Sequence, residues 1–167
     1  YMSTLAITTI QTDLIWEEKS ANLLMLEQKI NRIEQKTEIV VLPEMFNTGF
    51  SMKPERLAET MDGESVEWMK RMSRENGIVL TGSLMIEEDG NYYKRHLFAY
   101  AEEDKHYSPG NKRLIASVKG WKINLLVCYD LRFPVWARQV QNEAGAEYDV
   151  LIYVANWPER RSHAWKT

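Results

Sequence analysis

Apolar residues fall along this chain in two alternating rhythms. Short runs rich in apolar and β-branched residues occupy positions 5–10, 38–42, 78–80, 84–86, 114–118, 123–127 and 149–155. The most continuous of them (38–42, 123–127 and 149–155) have the pattern of strands buried on both faces of a mainly parallel sheet. Between the runs the spacing changes to three and four. Leu23, Leu26, Ile30 and Ile33 predict an amphipathic helix over about 17–36, and Val66, Met69 and Met72 another over 64–76, with Gly77 where a helix C-terminal glycine belongs. Pro134 suits the first position of a helix expected over 135–143, which Gly145 limits in length. Residues 47–59 read as a loop, 88–90 as a turn and 119–121 as a tight hairpin turn, whereas 92–100 match no single element. Strands alternating with helices predict an α/β fold, and 167 residues suffice for one domain with a substantial core.

Three of the apolar runs end on residues with chemistry. The run at 38–42 leads into Pro43 and Glu44, that at 123–127 into Cys128 and Tyr129, and that at 149–155 into Asn156 and Trp157. In sheets wound with helices, residues beyond the carboxyl ends of the strands converge on one edge, where ligands bind. Glu44, Cys128 and Asn156 therefore share a site if their strands run in one sense or lie adjacent in a sandwich.

Cys128 is the only cysteine, and it stands at a strand-to-helix elbow where free backbone N–H groups can stabilise a thiolate or a developing oxyanion. A thiol becomes a useful nucleophile when a base takes its proton and a positive charge stabilises its anion. Glu44 is a base of the right kind, and a nearby lysine is expected to lower the thiol pKa, each unit corresponding to about 1.4 kcal/mol. The alternative is a small buried hydrophobe with no chemistry. His96, His106 and His163 offer no triad in the sequence, and the histidine and carboxylate spacings lack a zinc pattern.

Composition narrows the partners. A net charge of −3 carries no basic footprint for nucleic acid, and no apolar run reaches membrane-spanning length. With one cysteine and no signal-like start, the chain fits a reducing cytoplasm, and small molecules or proteins are its expected partners. Six tryptophans and eight tyrosines point to an aromatic contribution to a core or pocket.

Three segments then give the pattern a family. VVLPEMF at 40–46, YKRHLF at 93–98 and LLVCYDLRFP at 125–134 resemble, in order and content, the catalytic motifs of the nitrilase superfamily of carbon–nitrogen hydrolases. The resemblance implies a Glu-Lys-Cys triad at Glu44, Lys94 and Cys128. EDKHYSPG at 103–110 is similar to the segment that supplies a second active-site glutamate, here Glu103, and NWPERRSHAW at 156–165 is similar to the corresponding motif of omega-amidase-like members. It implies a cysteine amidase: Glu44 as general base, a thioester on Cys128, Lys94 and the Tyr129 N–H holding the oxyanion, and no metal or organic cofactor. Asn156, Trp157 and Arg132 join the expected substrate contacts, with Arg160 and Arg161 as further candidates for a substrate carboxylate. The expected substrate is a small omega-amide of a dicarboxylic or 2-oxo acid. An N-carbamoyl or nitrile substrate, and a non-catalytic binding domain with a structural Cys128, stay open. The resemblance further implies a four-layer α-β-β-α sandwich, incomplete at its C-terminus, forming one hydrolase domain over 1–167 that associates as a homodimer. Against the family pattern, residues are expected to be missing near 90–94 and after 167.

Overall fold

A computed structural model describes residues 4–94, 96–139, 141–143 and 145–165. The first half builds a parallel sheet under two helices. Strands β1 (Ile7–Thr9), β2 (Ile39–Val41) and β3 (Val79–Thr81) pair in the order β1-β2-β3, with Ile39 opposite both Ile7 and Val79. They are connected through helices α1 (Lys19–Ile30), α2 (Pro54–Leu57) and α3 (Glu64–Asn76).

Period-two alternation along β2 explains why its run is apolar on every residue. Val40 packs with Leu23, Leu26, Ile30, Trp68 and Met72 of the two long helices, whereas Ile39 and Val41 face Ile123 and Val154 of a second sheet. Just beyond the sheet, Phe46 is fully buried, and Gly82 makes room for it: a Cβ on Gly82 would come within 2.9 Å of both Leu42 Cβ and Phe46 Cδ1.

The second half supplies the facing sheet. Strands β4 (Glu87–Glu88), β5 (Asn91–Lys94) and β6 (Ser108–Pro109) form one small sheet in that order. Strands β7 (Leu114–Val118) and β8 (Trp121–Val127) form an antiparallel hairpin. Its turn residues, Lys119 at φ 51° and Gly120 at φ 86°, are both left-handed, the geometry of a type I′ turn. Helix α4 (Pro134–Ala137), strands β9 (Gln141–Asn142) and β10 (Gly145–Ala146) and strand β11 (Val150–Val154) follow. Strand β11 pairs parallel to β8, giving the order β11-β8-β7. Between this sheet and β1-β2-β3, Leu5, Val118, Ile123, Leu125, Val127, Val150, Ile152 and Val154 close a dry layer around Ile39 and Val41.

Several boundaries differ from the periodicity, for local reasons. The first helix spans Lys19–Ile30, not 17–36. Glu17 is left-handed at φ 58° and gives its N–H to Thr48, while past Ile30 the chain turns and Ile33 reaches the same core from that turn. Helix α3 ends at Gly77, in the left-handed conformation at φ 63°, as its sequence predicts. The helix expected over 135–143 stops at Ala137, and the β9-β10 hairpin takes over with Gly145 at φ 94°. Within 84–86, Ile86 makes a single bridge to Glu59, and the strand lies one residue further on. Of the unassigned 92–100, residues up to Lys94 end β5 and a 3₁₀ turn begins at Ala99, while residue 95 lies outside the described residues.

Candidate active site

The directions of the strands bring the three expected ends together. Strands β2, β8 and β11 each run toward the same edge, so Glu44, Cys128 and Asn156 emerge side by side. Glu44 is fully buried, and a tight turn at the left-handed Met45 holds it (φ 46°). The Met45 N–H donates to Ser83 Oγ at 3.0 Å, and its carbonyl accepts the N–H groups of Thr48 and Gly49.

Lys94, at the end of β5, crosses to this carboxylate. Its Nζ lies 3.0 Å from Glu44 Oε1 and 2.8 and 3.0 Å from the two oxygens of Glu103. Glu103 is itself fully buried, at the start of a 3₁₀ turn (Glu103–Lys105), and the Phe98 N–H donates to it at 2.6 Å. The second Glu44 oxygen accepts the Asn156 N–H at 3.0 Å, and the Cys128 thiol lies close enough to feel the charge of the same carboxylate.

Cys128 opens a 3₁₀ turn (Cys128–Arg132) with φ 45°. A left-handed non-glycine residue costs about 1–2 kcal/mol. Here the turn sets the sulfur beside Glu44, with the Tyr129 N–H next in the chain. The cysteine is 4% exposed and Lys94 9% exposed, so the charges meet in a dry setting.

That dryness decides the protonation states. Burial pushes the Glu44 carboxyl above the ordinary carboxylate range, against the lowering effects of the Lys94 charge and the Asn156 N–H. On Lys94 burial works the other way, but the charges of Glu44 and Glu103 outweigh it and hold the ammonium above its ordinary range. The lowering of the thiol pKa expected from a lysine is present but outweighed. Lys94 does pull it down, but burial and the Glu44 charge prevail and push the Cys128 thiol up. A raised thiol pKa calls for a base that takes the Cys128 proton as the sulfur reacts, and Glu44 is the carboxylate beside it. If Glu44 is that acceptor, kcat/KM falls on the acid side at a pH above the ordinary carboxylate range, because a protonated Glu44 cannot accept. A pH–rate profile whose acid limb lies at an ordinary carboxylate value would contradict this.

Aromatic rings surround one arginine beside the cluster. The Phe98 ring lies 5.0 Å from Tyr129 and 5.9 Å from Trp157, and Arg161 sets its guanidinium 5.4 Å from Phe98, 5.3 Å from Tyr100 and 4.7 Å from Trp157. Among the described residues no carboxylate pairs with Arg161. Arg160 is exposed, and Arg132 stands at the exposed end of the Cys128 turn. A cavity of about 300 Å³ borders Glu44, Lys94, Tyr107 and Asp130, a size suited to a small ligand, although Cys128 is not part of its wall.

Sequence reasoning passed over two contributors. Asp130 receives the Val127 N–H at 2.9 Å and faces His96 Nδ1 at 2.8 Å. His96 was visible only as a histidine near Lys94, and nothing in the spacing joins positions 96 and 130. Among the described residues, no group of three or more His, Cys, Asp or Glu side chains is arranged to hold a metal ion, and no helix is long and apolar enough to cross a membrane.

Comparison with known proteins places this architecture. The sequence profile of the carbon–nitrogen hydrolase family matches residues 4–90 and 81–166. Omega-amidase YafV of Yersinia enterocolitica is 39% identical over 184 aligned positions, covering 99% of this chain and 68% of the relative. The 2-oxoglutaramate amidase of Bacillus subtilis is 29% identical over 96% of this chain and 68% of its own length. A crystal structure of a CN-hydrolase superfamily protein from Xanthomonas campestris, with an arsenic adduct in its active site, superposes with a TM-score of 0.92 at 33% identity, over 99% of this chain and 69% of that one. The chain belongs to the carbon–nitrogen hydrolase family and has its α/β fold. It is an enzyme that hydrolyses a carbon–nitrogen bond.

Proposed function

We propose that this enzyme hydrolyses the terminal amide of a small omega-amide of a dicarboxylic or 2-oxo acid, releasing ammonia through a thioester on Cys128. The observation that carries this reading is a single ammonium clamped between two buried carboxylates at the strand ends where the only thiol also stands. The Yersinia and Bacillus relatives support the substrate class.

Glu44 takes the Cys128 proton as the sulfur attacks the amide carbonyl. Lys94 and the Tyr129 N–H receive the oxyanion, a contact for which one donor is worth about 3–4 kcal/mol. When the tetrahedral intermediate collapses, the C–N bond breaks and Glu44 returns the proton to the leaving ammonia. Glu44 then deprotonates a water that attacks the thioester carbonyl, and as the C–S bond breaks and the carboxylic acid leaves, Glu44 returns that proton to the Cys128 sulfur. Glu103 keeps Lys94 charged and aimed throughout, and Asn156 fixes the Glu44 oxygen that does not face Lys94. Trp157 and Tyr129 bound the substrate's path.

At the far end of an omega-amide stands a carboxylate, and of the three candidate arginines Arg161 is the one to receive it. Three rings gather around its guanidinium, and a guanidinium offers forked N–H donors that match a carboxylate. Arg161→Gln is expected to raise KM for omega-amides about tenfold, the scale of losing a charged hydrogen bond, with kcat changed less than about threefold. The substrate class is tested by ammonia release from omega-amides against neutral amides of equal length, N-carbamoyl amino acids and nitriles. Equal kcat/KM for omega-amides and neutral amides would overturn it, and no hydrolysis across the panel would favour a binding domain. The same reading takes the working form as a homodimer in a reducing cytoplasm, where the lone thiol stays reduced.

A further inference from the structure

The two segments that carry the lysine and the cysteine lie in different sheets. Strand β5 ends at Lys94 within β4-β5-β6, while β8 runs into Cys128 within β11-β8-β7. Their relative position therefore depends on side chains. One link is the Lys94, Glu44 and Cys128 cluster itself, but its charges change at every step of the proposed reaction.

A second link lies two residues beyond each group and contains no reacting atom. Asp130 is 3% exposed, and both of its oxygens are engaged. Oδ2 accepts the N–H of Val127 at 2.9 Å, closing the turn around the left-handed Cys128. Oδ1 meets His96 Nδ1 at 2.8 Å, and facing a carboxylate that nitrogen is the donor. The imidazole is clamped in turn. It stacks on Phe133 at 3.8 Å with 4° between the planes and meets Trp136 edge-on at 6.1 Å. Tyr153 also faces the Asp130 charge, and burial together with that charge pushes its hydroxyl pKa up, so the phenol stays neutral beside the carboxylate.

We propose that His96 and Asp130 are a positioning pair that locks the Cys128 elbow to the strand carrying Lys94. They keep the spacing of sulfur and ammonium constant while Glu44 moves the proton. Neither residue touches the reacting atoms in this role. The pair acts through the Val127 N–H at one end and through the two-residue reach from His96 to Lys94 at the other. The inference rests on the assignment of Cys128 and Lys94 to the reaction.

The test uses the full-length chain, ammonia release from an omega-amide, and thermal melting followed by circular dichroism. His96→Phe keeps a stacking ring but removes the donor. It is expected to lower kcat about tenfold to a hundredfold, the cost of an ångström-scale misplacement, with KM within about threefold. His96→Asn, which restores a donor toward Asp130, is expected to recover kcat to within about threefold of the native enzyme. In a double-mutant cycle, adding His96→Phe to Asp130→Asn should cost little beyond Asp130→Asn alone, since both break one link.

Native kcat in His96→Phe would overturn the proposal. So would equal losses in His96→Phe and His96→Asn, multiplying losses in the cycle, or activity that falls only in step with the folded fraction. Failure of the underlying assignment has a different signature: Cys128→Ala would then retain turnover, whereas failure of the pair alone leaves that variant inactive.

Discussion

Ammonia release from every amide is expected to fall to background in Cys128→Ala, while the protein stays folded. The proposed thioester needs the sulfur, and no neighbouring group replaces it. Glu44 lies beside the reaction as a proton carrier, and Lys94 is held as an ammonium by two carboxylates and has no lone pair to offer. Folding should survive because one buried sulfur is a small loss, about 1 kcal/mol on the scale of removing a methylene-sized group from a core. Alanine also tolerates the left-handed backbone at position 128 no worse than cysteine does. An ammonia assay beside a melting curve checks both halves, and turnover above background in a folded Cys128→Ala would remove the thioester from the mechanism.

Lys94→Met should lose both activity and stability. Methionine fills most of the space but leaves Glu44 and Glu103, each fully buried, with no cation between them. Removing one partner of a buried ion pair costs about 3–5 kcal/mol, because the remaining charge stays in the dry interior. The pH dependence carries the sign that identifies this cause. Burial already raises the Glu44 pKa, and Lys94 is the principal influence lowering it. In the variant the folded-state pKa rises further above the unfolded value, so Lys94→Met loses stability as pH climbs through that raised pKa and regains it below. Chemical denaturation at several pH values should show the deficit shrinking toward acid. A pH-independent deficit would mean that packing, not the two carboxylates, accounts for the loss.

Much of the site was legible because its residues stand where strands stop. Glu44 follows a proline that cannot continue a ladder, Cys128 follows the long apolar strand β8, and Asn156 follows the apolar run of β11, which is only partly buried, with Leu151 exposed. Parallel pairing of β11 with β8, and of β1 with β2 and β3, turned these separate ends into one edge. Lys94 and Glu103 were reached through resemblance alone, since nothing in the periodicity of 92–105 marks them.

The sequence by itself determined the features that depend on near neighbours. The helix over 64–76 with its glycine stop, the two-residue turn at Lys119 and Gly120, the apolar strands and the three family motifs are all written in residues a few positions apart. The tertiary structure alone decided whatever depends on burial or on distant partners. It confined the first helix to Lys19–Ile30, where a contact from Glu17 to Thr48 before its start and a turn carrying Ile33 past its end outweigh the apolar spacing. It joined His96 to Asp130 across 34 positions and surrounded Arg161 with three rings from two distant segments. It also set the balance around the nucleophile. Lys94 lowers the Cys128 thiol pKa as expected, but the fold that brings them together also buries the sulfur beside a carboxylate, and these two effects outweigh the lysine and push the thiol up.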